Sequence, residues 1–124
     1  MPDLFADSFA LVAYLEGNPR YLRIFEQRKI VTSALNVLEV YATLLRRIDA
    51  AEAREIAMTL LTLALPLPSE VALSAAEFRH AMRRRKRDCS YVDAWGYAAA
   101  VHLGVRFLTG DTAFRGLQNV EFVR

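Results

Sequence analysis

The sequence predicts an α/β fold: a three-layer α/β/α sandwich built on a central, mostly parallel five-stranded sheet. Three observations carry that expectation. Short apolar or β-branched runs at 4–6, 30–32, 63–67, 105–109 and 120–123 alternate with longer stretches of helical apolar spacing. Strands that alternate with helices pair in parallel through right-handed crossovers, which puts helices on both faces of the sheet. The chain has 124 residues, enough for one core, so residues 1–124 read as a single domain without repeat, low-complexity segment or linker.

Taken in order, residues 4–6 read as a short buried strand and Ser8–Leu15 as a helix. Gly17-Asn18-Pro19 ends that helix, because glycine frees the turn and the residue before proline avoids the helical region. Residues 20–27 have helical spacing at Leu22, Ile24 and Phe25, and residues 30–32 form a brief second strand. Thr32 or Ser33 can cap a long helix with Leu35, Leu38, Ala42 and Leu45 along one face. Ala50–Leu61 is the next helix, with Ile56, Leu60 and Leu61 inward, and residues 63–67, ending in Pro66-Leu67-Pro68, read as the third strand. Ser74 with Glu77 three residues on has the form of a capping box and predicts a helix from there to about Arg87. Ser90 with Asp93 repeats the signature ahead of Tyr91–Leu103, where Ala98-Ala99-Ala100 permits close packing and Gly104 ends the helix. Residues 105–109 and 120–123 supply the fourth and fifth strands.

An apolar fraction of 54% excludes disorder, and charged residues at 24% are ordinary. No apolar run reaches the roughly 18 residues that span a bilayer. Residues 57–67 are too short and are broken by Thr59, Thr62 and Pro66. The start Met-Pro-Asp lacks the basic region of a secretory signal, and the lone Cys89 permits no internal disulfide. The expectation is a soluble cytoplasmic domain. The apolar excess points to an interface with a second copy or another chain, with Tyr14, Leu15, Leu22, Phe25, Tyr41, Leu45 and Met58 as candidates beside ordinary core packing.

Four acids stand beside apolar runs: Asp7, Glu39, Asp93 and Asp111. A carboxylate among apolar residues must be neutralised, hydrogen-bonded or bound to a cation, since desolvating an isolated charge is costly. Each has a plain structural reading: Asp7 and Asp111 as helix caps, Asp93 as the far half of a capping box, Glu39 as a solvent-facing helix residue. Jointly they map to one end of a parallel sheet, where open α/β sheets build their sites. Carboxylates gathered there repel one another unless a cation intervenes. An all-oxygen set suits Mg²⁺ or Mn²⁺; zinc would want His or Cys, and His80 and His102 stand apart.

Net charge is +2, and withdrawing four acids into a pocket leaves a cationic remainder that attracts polyanions. Arg83, Arg84, Lys86 and Arg87, in the densest basic run, are the nucleic-acid-binding candidates. The same run also serves as a solvated helix end opposing the macrodipole. Tyr91, Trp95 and Tyr97 could stack bases, with core packing the alternative for Trp95.

Leu4-Phe5-Ala6-Asp7-Ser8, the helical Glu39, Ser90-Tyr91-Val92-Asp93-Ala94, and Phe107-Leu108-Thr109-Gly110-Asp111-Thr112-Ala113-Phe114 followed by Asn119-Val120-Glu121-Phe122-Val123 resemble the PIN-domain nucleases. The likeness covers essentially the whole chain, and its compact size is similar to the VapC toxins of VapBC toxin–antitoxin pairs. The resemblance implies a Mg²⁺- or Mn²⁺-dependent endoribonuclease acting on single-stranded or structured RNA. It implies Asp7 and Asp93 as principal metal ligands, with Glu39 and Asp111 as further ligands or as holders of metal-bound water. It also implies a homodimer and a VapB-like antitoxin whose C-terminal segment covers the active groove. Ser8 stands where many relatives have Thr, and Phe114 and Arg115 stand where some place another acid. Two other classes remain: a non-catalytic PIN-like module that binds RNA or protein, and a phosphatase-type α/β enzyme in which Asp7 attacks phosphate. The latter wants a second acid two residues on, where Phe9 stands.

Overall fold

The computed structural model describes residues 1–124. Its elements run β1 (Leu4–Ala6), α1 (Ser8–Leu15), α2 (Pro19–Gln27), β2 (Ile30–Val31), α3 (Ala34–Arg47), α4 (Ala50–Leu61), α5 (Val71–Arg84), α6 (Tyr91–Leu103), β3 (Arg106–Thr109), a 3₁₀ turn (Thr112–Phe114) and β4 (Val120–Phe122). The strands form one parallel sheet in the order β2-β1-β3-β4. Leu4, Phe5 and Ala6 of β1 align with Arg106, Phe107 and Leu108 of β3. Because successive side chains on a strand point to opposite faces, Phe5 and Phe107 enter a core with α5 and α6. Leu4, Ala6 and Leu108 enter another with α1 to α4. Helices therefore cover both faces, as the alternation of elements requires.

The sheet has four strands where five were expected. Residues 63–67 make only one bridge, Thr32 to Ala64. Thr32 N donates to Leu63 O, and Leu65 N donates to Thr32 O (both 3.0 Å). Pairing stops there because Pro66 and Pro68 have no N–H to offer. The preceding residues are also drawn into the turn that ends α4, with Leu63 N on Leu60 O and Ala64 N on Leu61 O.

Two further expectations change. The Ser74/Glu77 pattern caps nothing: α5 begins a turn earlier, at Val71, and Glu70 at its N-cap makes no side-chain capping bond. The turn after Pro68, with Val71 N on Pro68 O and Ala72 N on Ser69 O, has already started the helix. A capping box needs extended backbone at its first residue, and Ser74 is helical. The helix stops at Arg84, short of Arg87, because Lys86 adopts left-handed backbone (φ 59). On α4, Leu60 is buried, Ile56 is half-buried, and Leu61 faces out. On α3 the buried residues are Asn36, Val37 and Val40, while Leu35, Leu38 and Leu45 lie on the exposed side.

Local signals were followed elsewhere. Ser33 caps α3, Asn18 caps α2 ahead of Pro19 at the first helical position, and Gly104 closes α6 in left-handed conformation (φ 72). Helix α6 lies close on the sheet because residue 96 is glycine; a Cβ there would stand 3.0 Å from the Phe107 ring and 3.2 Å from Phe5.

Candidate active site

Asp7 leaves the C-terminal end of β1 and caps α1, its Oδ1 accepting from Ala10 N at 2.8 Å. Its Oδ2 accepts the Thr109 hydroxyl from the end of β3, and the carboxyl is 1% exposed. Burial pushes its pKa up to about 8. The bonds from Thr109 and Ala10 pull the other way, and the charges of Asp93 and Asp111 push further up. The Thr109 hydroxyl oxygen also accepts Asp111 N (3.0 Å), so one side chain ties the two strand-end acids together.

Asp93 sits in the first turn of α6 and completes the expected capping box, with Asp93 N on Ser90 Oγ (3.0 Å) and Ser90 N on Asp93 Oδ2 (3.1 Å). Burial raises its pKa, the Ser90 bonds lower it, and the charges of Asp111 and Glu39 raise it. Asp111 caps the 3₁₀ turn through Oδ1 and Ala113 N at 2.9 Å. Glu39, half-exposed on α3, forms no side-chain hydrogen bond; its charge reaches the group through Asp93. The fold thus brings the four acids into one electrostatic neighbourhood, with Asp7 deepest.

Nowhere do three Asp, Glu, His or Cys side chains already converge as a ligand cage. Asp93 Oδ1 and Asp111 Oδ2 accept no hydrogen bond, so each keeps a free oxygen. Half-buried carboxylates that share one neighbourhood and retain free hard-oxygen donors fit a divalent cation such as Mg²⁺ or Mn²⁺.

Asp93 and Asp111 open onto a cleft of ≈ 820 Å³ whose walls carry Arg79, Lys86, Arg87 and Arg115. Arg87 is committed to structure, since its Nη1 donates to Ala113 O (2.8 Å) and Arg115 O (2.9 Å) and so clamps the segment that presents Asp111. Arg83 and Arg84 line a neighbouring groove of ≈ 460 Å³ with Arg79, His80 and Tyr91. Of the aromatics considered for stacking, Trp95 is turned inward with Nε1 on Ser33 Oγ (3.1 Å). Tyr97 stacks on Phe78 (4.1 Å between centroids) with its hydroxyl on Gln118 O. Only Tyr91 stays exposed.

Sequence reasoning assigned no site role to several residues. Thr109 is one, although a hydroxyl residue two positions before an acid at a strand end is a readable Asx-type signal. Arg79 is another, four residues before Arg83 and hence on the same helix face. Ser33, Asn36 and Ser8 form a chain in which Ser33 Oγ donates to Asn36 Oδ1 (2.6 Å) and Asn36 Nδ2 to Ser8 Oγ (3.3 Å), joining the starts of α1 and α3. No sequence signal marks that chain.

Several solved structures share this fold. VapC20 of Mycobacterium tuberculosis, a sarcin-ricin loop cleaving toxin, superposes with a TM-score of 0.77 at 22% identity, covering 98% of this chain and 99% of that one. VapBC-1 of nontypeable Haemophilus influenzae gives 0.75 at 12% identity over 97% and 96%. A toxin-antitoxin complex from Klebsiella pneumoniae gives 0.75 at 19% identity over 96% and 95%. At these identities the likeness is one of fold. No curated protein matches the chain in sequence. The family model of the PIN domain matches residues 4–119. With that match spanning both strand-end acids and the helices that bear the other two, the chain belongs to the PIN domain family.

Proposed function

We propose that the protein is a metal-dependent endoribonuclease and the toxin of a type II toxin–antitoxin pair, acting in the cytoplasm. The observation that carries this reading is the acid group at the C-terminal end of the sheet, with buried Asp7 raised to about 8 by desolvation and by its acidic neighbours. Asp7 and Asp93 would hold Mg²⁺ or Mn²⁺, with Glu39 and Asp111 as further ligands or as holders of bound water. A divalent ion there supplies an activated water and stabilises charge on the phosphate. Thr109 orients Asp7, the Ser90 box orients Asp93, and the Arg87 clamp keeps Asp111 in place. Arg79, Lys86 and Arg115 on the cleft wall suit the phosphates flanking the reacting one.

A protein partner is supported by the outward leucines of α3 and α4. Leu38, the residue before Glu39, lines an apolar groove of ≈ 290 Å³ with Tyr41, Met58 and Leu61. A VapB-like antitoxin segment lying there would reach the acids, and similar folds are known from toxin–antitoxin complexes. A homodimer is part of the same reading, with Leu73 and Val101 leaving a second exposed apolar surface on α5 and α6.

Purified protein should cleave RNA with Mg²⁺ or Mn²⁺ and stop on addition of EDTA. Asp7→Asn and Asp93→Asn should each lose cleavage by at least about 100-fold while remaining folded; full activity in either variant ends the assignment. The alternative, a non-catalytic RNA- or protein-binding module, draws on the capping roles of Asp7, Asp93 and Asp111. It predicts binding indifferent to EDTA and no cleavage.

A further inference from the structure

We infer that Tyr91, with Arg79 laid over its ring, is a stacking platform for one unpaired base of an RNA strand, and that the adjoining groove of Arg83 and Arg84 takes that strand's phosphates. The inference rests on the ribonuclease reading above and names a substrate subsite for it.

Tyr91 is the chain's one exposed aromatic ring, 72% accessible; the others are buried or half-buried. Its position is set by sequence, since it is the first residue of α6, directly after the Ser90 cap and two residues before Asp93. A base on this ring would therefore lie close to the acid group without entering it.

Arg79 fixes the ring's surroundings. Its Cζ stands 4.1 Å from the Tyr91 centroid, and its Nε donates to Cys89 O at 2.7 Å. The guanidinium is thus anchored to backbone while covering one side of the ring. The cation occupies one face of the ring, and the ring remains largely exposed for a partner on the other. A ring already held in place also loses little freedom on binding.

Arg79 borders both clefts, the one holding Asp93 and Asp111 and the one holding His80, Arg83 and Arg84. The two spaces therefore meet at the Arg79–Tyr91 pair. An extended strand with its reacting phosphate at the acids can pass over Tyr91 and continue along cations that make no ion pair within the protein. Basic track, exposed aromatic and acid group in sequence match the chemistry of a single strand, whose bases are free to stack. In duplex RNA the base faces are already stacked.

The test measures binding and cleavage separately on the full chain. Binding of a short, unstructured, fluorescein-labelled oligoribonucleotide is followed by anisotropy in EDTA, which prevents metal-dependent cleavage. Wild type is compared with Tyr91→Phe, which keeps the π face, and Tyr91→Leu, which keeps apolar bulk under Arg79. Each is titrated with RNAs bearing one abasic site at successive positions. Tyr91→Phe should bind within about 2-fold of wild type and Tyr91→Leu roughly 10-fold more weakly. One abasic position should weaken wild type by a similar factor and leave Tyr91→Leu unaffected.

Equal affinity of wild type and Tyr91→Leu, an abasic profile flat at every position, or no binding of the oligoribonucleotide overturns the platform. Parallel assays with Mg²⁺ and Mn²⁺ keep the two claims apart. Cleavage with Tyr91-independent affinity retains the nuclease and removes the platform. Tyr91-dependent binding without cleavage does the reverse.

Discussion

At the scale of single residues, Asp7 shows how one side chain serves architecture and chemistry through the same atoms. It caps α1 and accepts the Thr109 hydroxyl, yet it is almost wholly enclosed, and burial holds its pKa at about 8. An acid whose pKa is raised on folding holds its proton in the native state after the unfolded chain has lost it. Stability is then full below the ordinary carboxylate range and falls as pH rises towards 8, by up to about 1.4 kcal/mol per pH unit. Asp93, raised for the same leading reason, adds to the slope. Asp7→Asn keeps an acceptor for Ala10 and has no charge to bury. In EDTA, denaturant melts at pH 5 and pH 8 should show the variant's advantage over wild type growing by a few kcal/mol between the two. A gap that narrows with rising pH would contradict this placement of Asp7.

At the scale of elements, the site depends on how tightly the end of β3 is held. Gly110 links Thr109 to Asp111 between the Phe9 ring of α1 and the backbone after β4; a Cβ there would overlap Phe9 and come within 2.5 Å of Val123 O. Gly110→Ala should cost about 1–3 kcal/mol in chemical denaturation. It should also lower cleavage more than an equally destabilising change on α4, because the strain falls between the two acids. Equal losses at both places would mean that the loop only contributes to stability. Element-level signals differed in how well the sequence displayed them. Ser90 with Asp93 and Ser74 with Glu77 look alike, yet only the first is a cap, because Pro68 and the following turn had already begun α5. Helix α3 carries apolar residues on two sides. Periodicity found the leucine row at 35, 38 and 45, but the sheet took Val37 and Val40 and left that row outward.

At the scale of the molecule, four acids separated by most of the chain form one electrostatic group because β1 and β3 are neighbours in a parallel sheet. A divalent ion that binds only the folded group should raise the melting temperature in proportion to RT ln(1 + [ion]/Kd), about 2.7 kcal/mol at one hundred times Kd. Because the ion must displace the proton on Asp7, Mg²⁺ or Mn²⁺ should protect more at pH 8 than at pH 6. Thermal melts across both pH values check this, and pH-independent protection would place the ion elsewhere.

By itself, the sequence determined the alternation of strands and helices, most of the caps, and which acids stand beside apolar runs. These are local properties of spacing and backbone preference, carried by a few neighbouring residues. Only the tertiary structure decided that the sheet has four strands, that α3 keeps its leucines outside, that Thr109 joins Asp7 to Asp111, and that Arg79 covers Tyr91. Each of these depends on partners that covalent order leaves distant or on neighbouring backbone geometry, and competition among close-packed neighbours settled which face, donor or ring was used.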